Sequence, residues 1–308
     1  MHATRTSIAI LICAVVGCGP TPQRNGGDDD DDPGVDASTS TGDDATALRC
    51  EKIDVLFVID NSGSMGQEQT NLIANFPQFI NVLNASGLDY RVAVTTTARE
   101  YHYTMTTPLG SLPQDTGSGE DGEMIKPAAC NMTNRWIEKT DPDPSGTFSC
   151  VANVGTSGNA DEMPLGAMRD AFEDRMSDGT NAGFRRTDSL LGVVFLTDEE
   201  DCSYEAPVSL GFAQSLCDAQ MEPAANYVQF LDSYTGHRSR WAAAAIAGPG
   251  PGDCSSSFGN ADEAARLVEF IGLTGANGVM SSICDGDLSI GLSQALAVFE
   301  SACNDIIF

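Results

Sequence analysis

Apolar positions along this chain follow two patterns, and their alternation sets the expected architecture. Residues 53–59 (I-D-V-L-F-V-I) form a nearly continuous apolar run, as in a parallel strand buried on both faces. Residues 190–197 (L-L-G-V-V-F-L-T) repeat that pattern, and 90–97 and 241–247 predict two further strands. Between them, apolar residues recur at helical spacing. Leu72, Phe76, Phe79, Ile80 and Leu83 mark one helix, which Pro77 is expected to kink. Leu165, Met168, Phe172 and Met176 form the inner stripe of a helix over 163–176, and Pro223 suits the first turn of one over 223–234. A helix over 261–273 is expected to start at an Asn260 cap and stop near Gly275. Residues 278–283 predict a short last strand, and 288–303 a last helix with Leu292, Leu296, Phe299 and Cys303 on one face. Strands alternating with helices predict an α/β fold, a mostly parallel central sheet covered by helices on both faces.

Residues 98–160 break the rhythm. The stretch is rich in Gly, Pro, Ser and Asp and contains Cys130 and Cys150. A loop of that length in a folded domain is usually functional or independently stapled. It is expected to be an insertion with an edge strand at 134–139.

The first 49 residues lie outside this pattern. Arg5 and the short apolar stretch 7–16 form a signal peptide, too short to span a bilayer. Val15-Val16-Gly17-Cys18 resembles the lipobox of bacterial lipoproteins, which implies cleavage of residues 1–17 and a diacylglycerol on Cys18; the alternative is an ordinary secretory signal with an incidental cysteine. Residues 18–49 read as a disordered tether with an acidic run, Asp28 to Asp32, that keeps it extended as a spacer or binds calcium loosely. The expected location is the cell envelope, anchored through lipid only. Gly19 and Pro20 are no obvious inner-membrane retention signal, which favours the outer membrane.

Charge excludes one class of partner. Of 308 residues, 44 are acidic and 16 basic. Eight Asp and three Arg precede Cys50, so the remainder holds 36 acids against 13 bases, a net of −23. Such a body repels phosphate backbones, which argues against nucleic-acid binding.

The candidate chemistry sits in Asp60-Asn61-Ser62-Gly63-Ser64, directly after a buried strand and before a helix. In open α/β sheets, ligands gather beyond the carboxyl ends of strands. Asp60, Ser62 and Ser64 alternate, so a tight loop can aim three oxygens at one point, a set suited to a hard cation such as Mg²⁺. These residues resemble the metal-ion-dependent adhesion site of von Willebrand factor type A domains, which implies a Rossmann-like three-layer fold over 50–308. The resemblance also implies an aspartate from a T-D-G after another buried strand. Thr197-Asp198-Glu199 matches it at Asp198, with Glu199 replacing the glycine and Glu200 following on a rim read as solvated. The family's threonine has no counterpart directly before the helix from Met163. Glu162 is the nearest oxygen donor and Thr156 lies upstream, so Glu162 is the expected fifth ligand; otherwise Asp161 or Glu162 simply favours the helix start. The implied cofactor is Mg²⁺, or Mn²⁺ or Ca²⁺.

Eight cysteines remain beyond Cys18, an even number that suggests disulfides in an exported chain. Cys50 precedes the first strand, and Cys303 ends a helix returning to the same side, so they are expected to pair, as in some type A domains. Cys130–Cys150 and Cys202–Cys217 are the local pairings, leaving Cys254–Cys284 at the upper face. Zinc is the alternative, but no paired C-x-x-C occurs, and only His102 and His237 could assist.

No G-x-S-x-G, H-E-x-x-H or glycine-rich nucleotide loop is present, so an enzyme is not expected. The resemblance implies metal-dependent adhesion to a protein or peptide ligand, at a face walled by 98–160 and the loops after Thr197 and Gly248. The alternatives are a structural or assembly lipoprotein whose metal only orders loops, and a metallohydrolase.

Overall fold

The computed structural model describes residues 50–306 apart from 117, 205, 212, 213 and 258. The signal peptide, Cys18 and the tether to residue 49 lie outside the described residues.

Strand β1 (Lys52–Ile59) runs parallel to β2 (Asp89–Thr96) on one side and to β6 (Leu190–Leu196) on the other. Beyond β6 lie β8 (Trp241–Ala247) and β11 (Gly278–Ser282), also parallel. A two-residue strand, β5 (Ile137–Glu138), closes the far edge antiparallel to β2, so the order is β11-β8-β6-β1-β2-β5. This is the mostly parallel α/β sheet expected from the apolar runs.

Alternation along β1 assigns its two faces. Ile53, Val55, Phe57 and Ile59 pack in one core with helices α1 (Gly66–Ser86), α2 (Pro144–Val151) and α7 (Leu288–Asn304). Leu56 and Val58 point the other way, into a core shared with α3 (Pro164–Phe172), α5 (Ala224–Thr235) and α6 (Ala265–Thr274). The one acid in that run, Asp54, is fully buried and accepts from the Arg186 N–H (2.7 Å), Arg186 Nε (2.8 Å) and Ser189 Oγ (2.5 Å). A buried carboxylate is tolerated when it is paired and hydrogen-bonded in this way.

Three sequence expectations are corrected, and helix α1 runs through Pro77 as one element. The proline removes one backbone bond and costs about 3 kcal/mol, while Phe76, Phe79, Ile80 and Leu83 around it are all buried. The helix predicted over 163–176 is split at Glu173, with a short α4 (Asp174–Ser177) after it. Asn260 does not cap α6: it lies in β10 (Gly259–Ala261), hairpinned against β9 (Cys254–Ser256), and its Oδ1 accepts from Ser255 Oγ at 2.5 Å.

Finally, 98–160 is only partly an insertion. Its first part is a hairpin, β3 (Tyr101–Thr107) and β4 (Gly110–Thr116), joined by β7 (Val208–Gly211) into a separate three-stranded sheet. Its second part belongs to the main core. Phe148 of α2 lies 4.9 Å from Phe57 and 4.3 Å from Phe76, ring centre to ring centre.

All four expected disulfides are formed: Cys50–Cys303, Cys130–Cys150, Cys202–Cys217 and Cys254–Cys284. Among the described residues no helix is long and apolar enough to cross a membrane.

Candidate metal centre

Three loops meet beyond the carboxyl ends of β1, β2 and β6. The first follows β1. Asp60 is fully buried and continues the sheet, its N–H donating to Leu196 O at 2.8 Å. Its Oδ1 accepts from the Ser62 N–H (2.7 Å) and its Oδ2 from Thr197 Oγ1 (2.6 Å). Gln69, in the first turns of α1, donates to the Asp60 carbonyl at 3.0 Å and ties the loop to the helix. Ser62 Oγ and Ser64 Oγ lie 2.9 Å apart. Ser64 Oγ also reaches Asp198 Oδ1 (3.1 Å) and Glu199 Oε1 (3.3 Å) on the loop after β6. Thus Ser62, Ser64 and Asp198, 134 residues from Ser64, share one cluster, and Asp60 is held against it.

The second pairs the end of β2 with the segment that leads into α3. Glu162 is fully buried just before the helix. One of its oxygens, Oε2, accepts from Thr97 Oγ1 at the end of β2, and Oε1 has no hydrogen-bond partner among the described residues. Burial, and then the charge of Asp60, push the Glu162 carboxyl up to about 9. The same two causes, in the same order, push Asp198 and Glu199 up to about 7, and burial raises Asp60. Carboxylates crowded in low dielectric resist ionising together. The nearby guanidinium groups are committed elsewhere, Arg99 to Asp170, Arg169 to Glu222 and Arg266 to Asp201.

The acidic run after Thr197 divides its labour, which corrects its reading as a solvated rim. Asp198 and Glu199 face Ser64. Glu200 turns away and accepts from the Arg266 N–H at the start of α6 (3.1 Å), a favourable place for a negative charge. Asp201 is fully buried and accepts from the Leu165 N–H of α3 (3.1 Å), Ser203 Oγ (2.6 Å) and Arg266 Nε (2.9 Å). The loop is thereby pinned to two helices.

Beside the cluster lies a cleft of about 380 Å³, bounded by Ser64, Asp198, Glu199, Asp253, Asn260 and Asp262. The Asp262 N–H donates to the Asp198 carbonyl at 2.9 Å, so the cleft wall and the cluster share a backbone link. Hydroxyls and carboxylates without a protein counter-charge, one oxygen buried and unpaired, are the donor chemistry of a hard divalent cation. Among the described residues, the one trio of carboxylate, imidazole or sulfur ligand atoms within 4.8 Å of one another is Asp161, Cys202 and Cys217, and those two sulfurs are bound to each other and offer no thiolate.

Asp60, Ser62, Ser64 and Asp198 therefore come together as the spacing suggested, while Glu162 contacts Thr97 and only the charge of Asp60 reaches it. Thr156 does not join them; it is exposed. Sequence reasoning missed Thr197, which holds Asp60, and Thr97, which holds Glu162. Their signal was position, since each is a threonine immediately after a buried strand. His102 pairs with Asp115 on the exposed hairpin (2.8 Å), and His237 precedes β8 at the opposite end of the sheet.

No family model and no curated protein matches the chain. Among solved structures, it is similar to proximal thread matrix protein 1 from the mussel byssus, at 14% identity and a TM-score of 0.41 over 82% of this chain and 47% of that one. It is also similar to the pilus adhesin SpaC from Lactobacillus rhamnosus GG, at 12% identity and a TM-score of 0.43 over 81% of this chain and 31% of that one. The chain thus spans less than half the length of either.

Proposed function

We propose that residues 50–308 are a von Willebrand factor type A-like domain that holds a divalent cation at its loop face and binds a protein or peptide partner there. The observation that carries this reading is Ser64 Oγ, which lies 2.9 Å from Ser62 Oγ and 3.1 Å from Asp198 Oδ1. The unpaired buried oxygen of Glu162 supports it from the second loop. Asp60, Ser62, Ser64, Asp198 and Glu162 would hold the ion, and Thr97 and Thr197 would orient two of those carboxylates. When bound, the cation supplies a positive centre in an otherwise negative face. The neighbouring cleft admits a partner side chain, and the pinned loop after β6 keeps both in register.

The anchoring half of the proposal is a lipoprotein held at the cell envelope, in the outer membrane, through lipid on Cys18. It is supported by the leader sequence and by four disulfides, which suit an oxidising compartment.

The test is a crosslinking pull-down with the full chain, in the presence of divalent cation or EDTA and with Asp60→Ala. Specific partners that disappear with EDTA and with the variant support the reading; capture that survives both removes the cation from the mechanism. A second reading, a structural lipoprotein whose cation only orders loops, is favoured by one observation, the extra carboxylate of Glu162. It offsets more of the cation's charge and weakens its pull on an acidic partner group. That reading predicts a lower melting temperature in EDTA with partner capture intact.

A further inference from the structure

The cleft beside the cluster carries four carboxylates and no basic side chain. Asp198, Glu199, Asp253 and Asp262 bound it with Ser64 and Asn260, around about 380 Å³ of space. That volume lies at the small end of ligand sites and is enough for one long side chain. Asp253 and Asp262 are exposed. Asp198 is the buried member, 4% exposed; Ser64 donates to its Oδ1, and its Oδ2 takes no hydrogen bond among the described residues.

A fifth carboxylate stands behind the wall. Glu68 of α1 is 3% exposed, and its Oε2 has no hydrogen-bond partner among the described residues. It packs against Gly259 of β10, where a Cβ would collide with Glu68 Oε1. The bare glycine thus lets this group press on the strand whose next two residues, Asn260 and Ala261, line the cleft. A carboxylate buried without a partner is costly, and a positive charge nearby offsets that cost. Arg266 of α6 does not supply it, being held by Asp201.

Spacing decides which kind of cation fits. A bare metal ion gathers its oxygens closely around itself, whereas no three of the cleft's acids bring oxygens within 4.8 Å of one another. Carboxylates spread around a cleft suit a larger, organic cation. The arginine guanidinium is planar and weakly hydrated, and its five donors form a fork that engages carboxylates in pairs. We propose that this cleft receives an arginine side chain of the partner, with Asp253 and Asp262 as its principal acceptors. The inference rests on the reading that the loop face binds a protein or peptide, and it adds the partner's chemistry, a basic segment. The excess of 36 acids over 13 bases in residues 50–308 draws such a segment in from a distance.

A nuclear magnetic resonance titration of the full chain with N-acetyl-arginine methylamide, in EDTA at low salt, tests it. N-acetyl-citrulline methylamide, a neutral isostere, is the control. The arginine compound is expected to shift amides of residues 198–199 and 253–262 saturably, with Kd on the order of 1 mM, and the citrulline compound to leave them unmoved. Asp253→Asn combined with Asp262→Asn removes two charges at exposed positions and keeps an acceptor oxygen at each. This double variant is expected to bind the arginine compound on the order of tenfold more weakly, with an unchanged circular dichroism spectrum. No saturable shift, equal shifts with citrulline, or an unchanged affinity in the folded double variant overturns the inference and leaves the partner reading standing. Arginine binding at the cleft, with no specific partner in the crosslinking pull-down, overturns the partner reading instead.

Discussion

Asp201 is the residue on which the geometry of the third loop depends, and replacing it gives a sharp test. Asp201→Ala removes a fully buried carboxylate that accepts from the Leu165 N–H, Ser203 Oγ and Arg266 Nε. The Leu165 amide belongs to the first turn of α3 and has no intrahelical acceptor, so it is left orphaned. Arg266, 14% exposed, loses the Asp201 counter-charge but keeps carbonyl partners in Glu222 (2.6 Å) and Ser203 (3.4 Å). Breaking a buried pair from one side costs about 3–5 kcal/mol. The two retained carbonyls place this case near the lower end, about 3 kcal/mol. That is a large share of a typical total of about 5–15 kcal/mol. Glu200→Gln removes only a charge at the start of α6 and should cost about 0.3–1 kcal/mol. Urea unfolding of the full chain, followed by far-UV circular dichroism with disulfides intact, measures both. The expected result is a lower midpoint at unchanged slope, much larger for Asp201→Ala. Equal shifts in the two variants would refute the division of roles along the acidic run.

Three further outcomes follow from the same structure. Glu162, Asp198 and Glu199 are raised, to about 9, 7 and 7, so the stability they confer without cation is full below their ordinary carboxylate values and is lost as pH rises through the raised ones. Melting temperature in EDTA should therefore fall between about pH 5 and pH 9, with added Ca²⁺ restoring it most at the alkaline end; a flat EDTA profile contradicts this. Gly158 donates to the Asn61 carbonyl at 2.6 Å, and a Cβ there would collide with Asn61 Oδ1, so Gly158→Ala should weaken cation binding in calorimetry while moving the melting temperature little. Replacing both Cys50 and Cys303 by Ser opens a loop of 253 residues' separation and should cost about 5 kcal/mol, against about 3 for Cys202 and Cys217, separated by 15; urea midpoints that reverse this order refute the entropic account.

The main sheet was legible because strands buried on both faces leave continuous apolar runs, and β1, β6 and β8 have every interior position covered. The loop that carries Asp60, Ser62 and Ser64 was legible because its ligand atoms come from adjacent residues. Asp198 could be placed by its position at a strand end. The hairpin of β3 and β4 was not read, since its partner β7 lies about a hundred residues away and Tyr101–Thr107 is largely polar. Its local signal was the Pro108-Leu109-Gly110 turn between two alternating stretches. The false start of α6 at Asn260 had a different cause. Asp262 gives its N–H to Asp198 and Ala264 gives its own to Gly248, tertiary bonds that hold residues 259–264 extended and that no local preference reveals. The fates of Glu199, Glu200 and Asp201 were likewise hidden, because four consecutive acids look alike until two helices arrive to claim two of them.

The most direct measurement is a crystal of the full chain grown with Mn²⁺ and recorded at the manganese absorption edge. The account predicts one anomalous peak, about 2.0–2.6 Å from oxygens of Asp60, Ser62, Ser64, Asp198 or Glu162, with Glu162 Oε1 turned to the ion. A map with no peak there, or with its strongest peak among the acids of the neighbouring cleft, would contradict it.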